Sequence, residues 1–362
     1  MSPPRKIESV QALRAVAALS VAILHVLHDA IGLDPGGLMA RWHDALPWAA
    51  GVDLFFVISG FVMVYASADL FGRRDSPARF TARRLIRIVP LYWAATTLFL
   101  VMALASPGSV SDAIGGISDV VQSYAFIPAR RPDGNIQPIY SLGWTLNYEM
   151  FFYVVFAACI WLSCLRAVAL VALLLGGAMA VHRLVPDHAA ALVFWTAPLM
   201  AEFLFGMVVA LLATTRLSLT APVRAALLLS ALLLLMLAHR LGLDGNAPLA
   251  VGLPMALLLA TAVLGTPVPI SRTWLLLGDA SYALYLVHPF AMRAASLLWL
   301  RLHLAGPVAA ATYAATALAL AIIAAVCVHL WFERPVTRWL RAATPSPRQT
   351  RGRAPGGAAA PS

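Results

Sequence analysis

The chain alternates long apolar runs with short polar segments, and the length of these runs predicts membrane-spanning helices. Each run has about 20 residues, which at about 1.5 Å per residue is enough to cross a hydrocarbon core of about 30 Å. The pattern predicts an all-α polytopic membrane protein with about ten transmembrane helices. The runs are bounded by charged residues, proline or glycine and fall at 7–31, 47–69, 85–106, 140–162, 167–184, 191–213, 221–239, 248–266, 279–300 and 306–332.

Composition supports a membrane protein and excludes an ordinary soluble domain. Of the 362 residues, 61% are hydrophobic and 12% are charged, whereas soluble domains average about 25% charged residues. The three cysteines lie in or beside apolar runs and predict no disulfide framework. Because no phosphate-binding loop, dinucleotide fingerprint or Cys/His zinc spacing occurs, the sequence predicts no metal site and weakens ATP-driven and redox readings.

The net charge of +10 is read as a topology signal, since the arginines sit between apolar runs. Most Lys and Arg residues lie at the N-terminus, in the segment 70–84, in other short loops on the same side and in the C-terminal tail. Cytoplasmic loops of membrane proteins carry such an excess of Lys and Arg. Both termini are therefore predicted to be cytoplasmic, and no nucleic-acid partner is expected.

The domain organisation predicted from these runs is simple. Residues 1–340 form one membrane domain, and residues 341–362 form a disordered basic cytoplasmic tail of Pro, Gly, Ala and Arg. The outer loop at about 107–139 is rich in Gly, Ser, Pro and Asp and is expected to cover or receive a substrate. Near the end of the last span, Glu333 and Arg334 predict a local ion pair before a helix-ending proline.

Two polar residues of the first span lie on one helical face. Arg14 and His25 are 11 residues apart, so both side chains point the same way, about 16 Å apart along the helix axis. Charged residues inside spans usually face the bundle interior and mark pathways or sites. His25 is therefore a candidate general base. A packing role for His25 and a headgroup contact for Arg14 are the alternatives.

Three acidic residues also fall inside predicted spans: Asp53 in GVDLFFVISGF, Glu149 in SLGWTLNYEMFFY and Glu202 in AEFLFG. By residue count, Glu149 and His25 lie roughly 13 Å and 9 Å below the outer boundary. A carboxylate beside an imidazole orients it and stabilises the imidazolium. We therefore expect Glu149 to meet His25 across helices, with a structural acid as the alternative. Asp53 and Glu202 are predicted as substrate-binding or structural polar residues.

The segment FGRRDSPARFTARRLIRIVPLYW predicts a basic face at the cytoplasmic end of the third span. Arg79, Arg83 and Arg87 recur at i, i+4 and i+8, with Arg84 close by. Guanidinium groups fit phosphate oxygens bidentately, so such a face can hold the phosphates of a nucleotide-like cofactor. Contacts with anionic lipids are the alternative. Arg84 and Arg87, at the entry of the span, are the candidates for cofactor binding, together with Arg14 of the first span.

The ninth span begins GDASYALYLVHPF and places Ser281, Tyr285 and His288 on one helical face. A serine and a histidine on one face suggest a nucleophile and its base. Their separation of about 10 Å along the axis, however, excludes a direct hydrogen bond. The three residues are therefore predicted to form a polar seam or a wall of the acceptor site.

Seven blocks that carry these residues occur in a recognisable order: IESVQALRAVAALSVAILHV, GVDLFFVISGF, ARRLIRIVPLYW, GWTLNYEMFFY, AEFLFGM, SYALYLVHPF and FERPV. Over about residues 7–340 the chain resembles the acyltransferase 3 family of membrane acyltransferases, particularly its exopolysaccharide-production branch. The resemblance implies a ten-helix domain that takes an acyl group, usually acetyl, from cytoplasmic acyl-CoA. It places that group on a hydroxyl of a carbohydrate or related acceptor, without a metal.

The resemblance also assigns roles to residues. It implies His25 as the catalytic histidine with Arg14 as its partner, Arg84 and Arg87 near the coenzyme, and Glu149 as the acidic residue of the fourth-helix block. The expected setting is a bacterial inner membrane, where polysaccharide biosynthesis proteins are possible partners. The secreted esterase-like domain of some family members is not expected here.

The expected mechanism is direct transfer in a ternary complex, with His25 removing the proton of the acceptor hydroxyl. A route through an acylated histidine or serine stays open, as do the acceptor sugar and the size of the acyl group.

Two other functional classes are alternatives. One is a proton-coupled secondary transporter that uses the intramembrane His, Asp, Glu and Arg residues as its path. The other is a non-catalytic partner of polysaccharide export.

Overall fold

Long apolar runs become helices in a membrane because only a helix satisfies all backbone polar groups within one segment. The computed structural model describes residues 5–105, 116–215, 217–243, 248–266 and 268–343, without the side chains of residues 5–7. In these ranges the chain forms helices and no strand. The helices are α1 (Arg5–Ile31), α2 (Leu38–Ala45), α3 (Ala50–Tyr65), α4 (Ser76–Ala105), α5 (Ile117–Tyr124), α6 (Trp144–Cys159), α7 (Cys164–Ala180), α8 (Ala190–Trp195), α9 (Ala201–Thr214), α10 (Ala221–Arg240), α11 (Gly252–Val263), α12 (Arg272–Asp279), α13 (Ser281–Leu302), α14 (Pro307–Val328) and α15 (Arg334–Ala343).

The protein is an all-α, multi-pass membrane protein. Within the described residues, seven helical segments are long and apolar enough to cross a membrane: Glu8–Ile31, Leu38–Tyr65, Ser76–Ala105, Cys164–Leu184, Ala221–Arg240, Ser281–Leu302 and Pro307–Ala343. The three other predicted spans correspond to shorter apolar helices. These are α6, with 16 residues, and the segments Pro198–Thr214 and Gly252–Val263. The count of ten spans and the cytoplasmic termini stay predictions.

Helix α1 lies at the centre of the bundle, where it contacts α2, α3 and α11–α14. Small residues allow this close packing. Ala17 and Ala18 are fully buried on α1, and two glycines of neighbouring helices bring backbone against it. A Cβ atom at Gly51 would meet Ala17, and one at Gly278 would meet Gln11. The helix that carries Arg14 and His25 is thus held from several sides, which suits a residue pair that must be placed accurately.

Helices α3 and α9 form the most extensive helix contact. Gly60 of α3 lies against the backbone of Phe203, and Gly206 of α9 lies against the backbone of Val57. Each glycine leaves room for the partner's carbonyl group, which is how small residues let membrane helices approach one another. This contact fixes α3, which forms one wall of the functional site.

The end of the last helix corrects one expectation from the sequence. Glu333 pairs with His329 at 2.8 Å rather than with Arg334, because residues four apart on a helix face each other and adjacent residues do not. The two residues bound a π-helical turn over His329–Glu333. The proline that follows does not end the helix, since proline is tolerated at the first turn of α15. Helix α15 runs to Ala343, and the rest of the predicted tail lies outside the described residues.

The described part of the predicted outer loop carries no apolar span. It contains α5 and an isolated bridge between Arg130 and Ile136. Helix α5 is tied to α4, because the hydroxyl of Tyr92 donates to the carbonyl of Ser123 at 3.1 Å. Residues 106–115 of this loop lie outside the described residues.

Candidate functional site

Three arginines that are far apart in sequence meet in one cavity. Arg14 of α1 and Arg84 and Arg87 of α4 line a space of about 100 Å³, which we call the arginine cavity. Its other walls are parts of α3, α6 and α13. Glu149 of α6 is its one carboxylate among the lining residues, so the charged lining is net positive by two. The predicted grouping of Arg14 with Arg84 and Arg87 is therefore present, and its charge suits an anionic ligand.

Arg14 is held by Ser281. Its Nε and Nη2 atoms donate to the Ser281 hydroxyl at 3.1 and 3.0 Å. Ser281 is fully buried at the first position of α13. This neutral partner fixes the direction of the guanidinium without cancelling its charge. The sequence placed Ser281 in a polar seam, and the structure assigns it this contact with α1.

Arg84 lies beside two aromatic rings that pack edge-to-face against each other. Its guanidinium carbon is 5.5 Å from the ring centre of Phe80 and 5.9 Å from that of Tyr153. Its Nε atom is buried and has no hydrogen-bond partner among the described residues. Arg84 also forms no ion pair with a described carboxylate. A buried donor and a positive charge that both lack a partner would be satisfied by an anionic ligand in the cavity.

The predicted basic face of α4 divides into two parts. Arg79 pairs with Asp75, and Arg83 pairs with Asp69, both at 3.2 Å on the protein surface. Asp75 also accepts a hydrogen bond from Arg73, which lowers the pKa of this exposed carboxyl. The 3.6-residue period explains why Arg84 differs from Arg83, because neighbouring positions on a helix point about 100° apart. Arg83 and Arg84 thus face different surroundings.

Glu149 does not contact His25, contrary to the sequence-based expectation. Its Oε1 atom accepts hydrogen bonds from Ser59, at 2.9 Å, and from Tyr153. Glu149 lines the arginine cavity, whereas His25 lines a separate one. Residue counting gave comparable depths for the two side chains, but depth does not determine which way a side chain faces across the bundle. Glu149 therefore lines the same cavity as Arg14, Arg84 and Arg87.

His25 pairs with His288 of α13 instead. The Nδ1 atom of His25 lies 3.0 Å from Nε2 of His288, and the two ring planes are inclined by 23° with their centres 5.0 Å apart. His288 is 1% exposed, and its Nδ1 atom lies 2.9 Å from the carbonyl of Leu284. His25 lies at the wall of a second cavity, whereas His288 lies behind it.

This second cavity, which we call the histidine cavity, has a volume of about 620 Å³. Aromatic and polar groups both line it. The rings of Tyr140 and Phe290 stack with their centres 5.4 Å apart. Asp29 and Arg293 add one charge of each sign, and the Asp29 carboxylate accepts a hydrogen bond from Tyr313 at 3.1 Å. A flat apolar surface beside hydrogen-bonding groups suits a polyhydroxylated ligand.

Hydrogen bonds among three residues connect the linings of the two cavities. Tyr285 and Thr145 line the arginine cavity, and Leu142 lines the histidine cavity. The hydroxyl of Tyr285 donates to the carbonyl of Leu142 at 3.0 Å and accepts from Thr145 at 3.0 Å. We call these three residues the partition. Tyr285, which the sequence placed in a polar seam or a wall of the acceptor site, therefore lines the arginine cavity and is hydrogen-bonded to a residue of the histidine cavity.

The two remaining acidic candidates lie elsewhere. Asp53 and Glu202 interact with each other between α3 and α9, and Glu202 is fully buried while Asp53 is 9% exposed. The Glu202 side chain occupies the space that a Cβ atom at Gly252 would need. Neither residue lines the arginine or the histidine cavity. Of the two roles predicted for them, the structural one fits this position.

Sequence reasoning missed the partners that hold the site residues in place. Ser59 and Tyr153 hold Glu149, and Asp29 and Arg293 flank the histidine cavity. Tyr153 follows Glu149 by four residues, so its contact could have been read from the helical period. The others come from separate helices, and a one-helix pattern does not identify them.

No group of three or more His, Cys, Asp or Glu side chains that could hold a metal occurs in the described ranges.

Comparison with known proteins gives one family and several relatives. The profile of a family described as an acyltransferase domain matches residues 7–329. The chain is 36% identical over 299 residues to the exopolysaccharide production protein ExoZ of Rhizobium meliloti (strain 1021), which is 81% of this chain and 91% of that protein. It is 29% identical over 162 residues to the acyltransferase MdmB of Streptomyces mycarofaciens, covering 42% of this chain and 40% of that protein. No solved structure matches the chain significantly.

Proposed function

The chain belongs to the acyltransferase 3 family and is a membrane acyltransferase, and from this premise we propose that it moves an acetyl group from acetyl-CoA to a carbohydrate hydroxyl. The name of ExoZ refers to exopolysaccharide production. We extend that setting to this chain. The acceptor is then an exopolysaccharide or its lipid-linked repeat unit, and the protein resides in a bacterial cytoplasmic membrane with both termini inside.

The observation that carries the donor side is the convergence of Arg14, Arg84 and Arg87 in one cavity. None of the three forms an ion pair with a described carboxylate, so their charge is available to the phosphates of a coenzyme. The arginine cavity is far smaller than a whole coenzyme. The phosphates therefore bind at its mouth, and the narrow thioester arm enters the bundle.

The acceptor side uses the histidine cavity. Its volume of about 620 Å³ accommodates sugar rings, and the stacked rings of Tyr140 and Phe290 offer an apolar surface to them. His25 at the wall places a base beside an acceptor hydroxyl. The thioester must pass the partition to reach this hydroxyl. Opening the hydrogen bonds of Tyr285 joins the two cavities.

The transfer step then needs one base and two positioned reactants. His25 takes the proton of the acceptor hydroxyl as the oxygen attacks the thioester carbonyl. A carbon–oxygen bond forms, the carbon–sulfur bond breaks, and the imidazolium returns the proton to the coenzyme thiolate. Holding both reactants together in a site closed to bulk water supplies the orientation advantage. In this scheme Glu149 balances the arginines and takes no proton from the substrate.

A test of the donor uses purified protein in detergent and follows its thermal unfolding. A ligand that binds only the folded state raises apparent stability by mass action. Acetyl-CoA should stabilise the protein more than ATP at equal concentration, and succinyl-CoA tests the size of the acyl group. Well-folded protein that responds to no coenzyme would contradict the proposed donor.

A further inference from the structure

We infer that His288 is a positioning residue that holds His25 in the tautomer with a proton on Nδ1 and a lone pair on Nε2. This inference rests on the proposed function, since the lone pair is what takes the acceptor proton. The contact that supports it is between the His288 ring and a backbone carbonyl of α13, since a carbonyl can only accept a hydrogen.

The His288 ring contacts the backbone of its own helix. Its Nδ1 atom lies 2.9 Å from the carbonyl oxygen of Leu284. A carbonyl oxygen has no hydrogen to donate, so Nδ1 of His288 must carry the proton. The carbonyl of Tyr285 lies near the same ring. Pro289 has no N–H and leaves that carbonyl without its usual helical donor, so a second backbone group beside the ring can accept a hydrogen and has none to donate.

The proton on Nδ1 determines the other nitrogen of His288. A neutral imidazole has one N–H and one lone pair, so Nε2 of His288 is an acceptor. This atom lies 3.0 Å from Nδ1 of His25. Two lone pairs at that distance would repel, so Nδ1 of His25 carries the hydrogen. Its Nε2 atom then keeps the lone pair, and His25 is the member of the pair that lines the histidine cavity.

The same contact supports the charged state that follows. When Nε2 of His25 takes the hydroxyl proton, the imidazolium donates its Nδ1 hydrogen to His288. The positive charge is thereby shared with a ring whose own N–H is bound by the Leu284 carbonyl. His288 touches neither reactant and acts only through His25. It has the orienting role that the sequence assigned to Glu149.

One other group can orient His25, and the test must separate the two. The carbonyl of Val21, one turn earlier on α1, also lies near the His25 ring. If Val21 alone determined the tautomer, removal of His288 would leave it unchanged. His288→Met removes the ring acceptor at similar side-chain length. His288→Gln keeps a carbonyl oxygen that can accept the same hydrogen.

The experiment is nitrogen NMR on the full-length protein in lipid with 15N-labelled histidine. The chain has nine histidines, so a His25→Gln sample identifies the His25 signals. We expect a protonated Nδ1 and an unprotonated Nε2 at His25 in the unmodified protein. In His288→Met we expect a mixture of tautomers or the opposite one. A protonated Nε2 in the unmodified protein, or an unchanged His25 spectrum in His288→Met, would overturn the inference.

Kinetics supply the second readout. His288→Met should lower kcat roughly 10- to 100-fold, the usual range for a lost orienting partner, with an unchanged KM for acetyl-CoA. His288→Gln should recover part of that loss. An equal loss in both variants with an unchanged tautomer would indicate a purely structural role and contradict the inference. The NMR result needs no substrate, so a failure of the proposed function and a failure of this inference are distinguishable.

Discussion

Arg83 and Arg84 are neighbours on α4 and offer a sharp test of the arginine cavity. Arg84 lines the cavity beside the rings of Phe80 and Tyr153, whereas Arg83 pairs with Asp69 on the surface. Replacing either arginine by glutamine removes the same charge from the same helix turn. If the cavity holds coenzyme phosphates, only Arg84→Gln should weaken binding.

The size of the effect follows from the contact that is lost. A hydrogen bond to a charged group contributes about 1.5–3 kcal/mol, and about 1.4 kcal/mol corresponds to a tenfold change in Kd. Arg84→Gln should therefore raise the Kd for acetyl-CoA roughly 10- to 100-fold. Arg83→Gln loses an exposed ion pair worth at most about 1 kcal/mol and no ligand contact. Its Kd should stay within about twofold of the unmodified value.

Calorimetric titration of acetyl-CoA into purified protein measures both constants. Arg84→Lys is the graded variant, because lysine keeps the charge but cannot form the bidentate or ring-stacked contact. Its Kd should lie between those of Arg84→Gln and the unmodified protein. Unfolding of the unliganded variants checks that each is folded. Equal Kd values for Arg83→Gln and Arg84→Gln would refute the assignment of coenzyme phosphates to this cavity.

Three further predictions concern packing, the partition and Glu149. Gly206→Ala should lower stability by about 1–3 kcal/mol, because the new Cβ meets the backbone of Val57. Gly176→Ala, which meets open space, should not, and thermal unfolding compares the two. Tyr285→Phe opens the partition and should raise acetyl-CoA hydrolysis without acceptor several-fold, measured as released thiol; an unchanged rate counts against the partition. Glu149→Gln should tighten coenzyme binding a few-fold, because it removes the one negative charge among the residues that line the cavity. Lost turnover at unchanged Kd would instead support the expectation that Glu149 orients His25.

The all-helical fold and several candidate site residues follow from single-helix patterns. The 20-residue runs predicted the spans, and the spacing of Arg14 and His25 predicted a shared face on α1. The basic segment before the third span identified Arg84 and Arg87. These features depend on helix length and period, which are local properties of a sequence. The resemblance added the expectation that the arginines lie near one coenzyme.

The contacts between helices could not be obtained in the same way. Residue counting gives the depth of a side chain, and at comparable depth His25 could face Glu149 or His288. The choice depends on which helices surround α1, and that is set by small residues such as Gly51 and Gly278. The ends of short helices such as α11 were also uncertain, since apolar residues continue beyond them. Tertiary packing decides both matters.

We propose that this protein transfers acetyl groups with His25 as the base, and label transfer tests this proposal most directly. Membranes containing the protein are incubated with radiolabelled acetyl-CoA and a lipid-linked glycan fraction, and alkali-labile label in the glycan is counted. His28→Gln is the matched control, because His28 lies on the same helix, is exposed and does not line the histidine cavity; its ring centre lies 5.8 Å from that of His43. We expect labelled glycan with the unmodified protein and with His28→Gln. With His25→Gln at equal protein level we expect at least about a hundredfold less label, because a general base is lost. Equal label with His25→Gln would contradict the proposal.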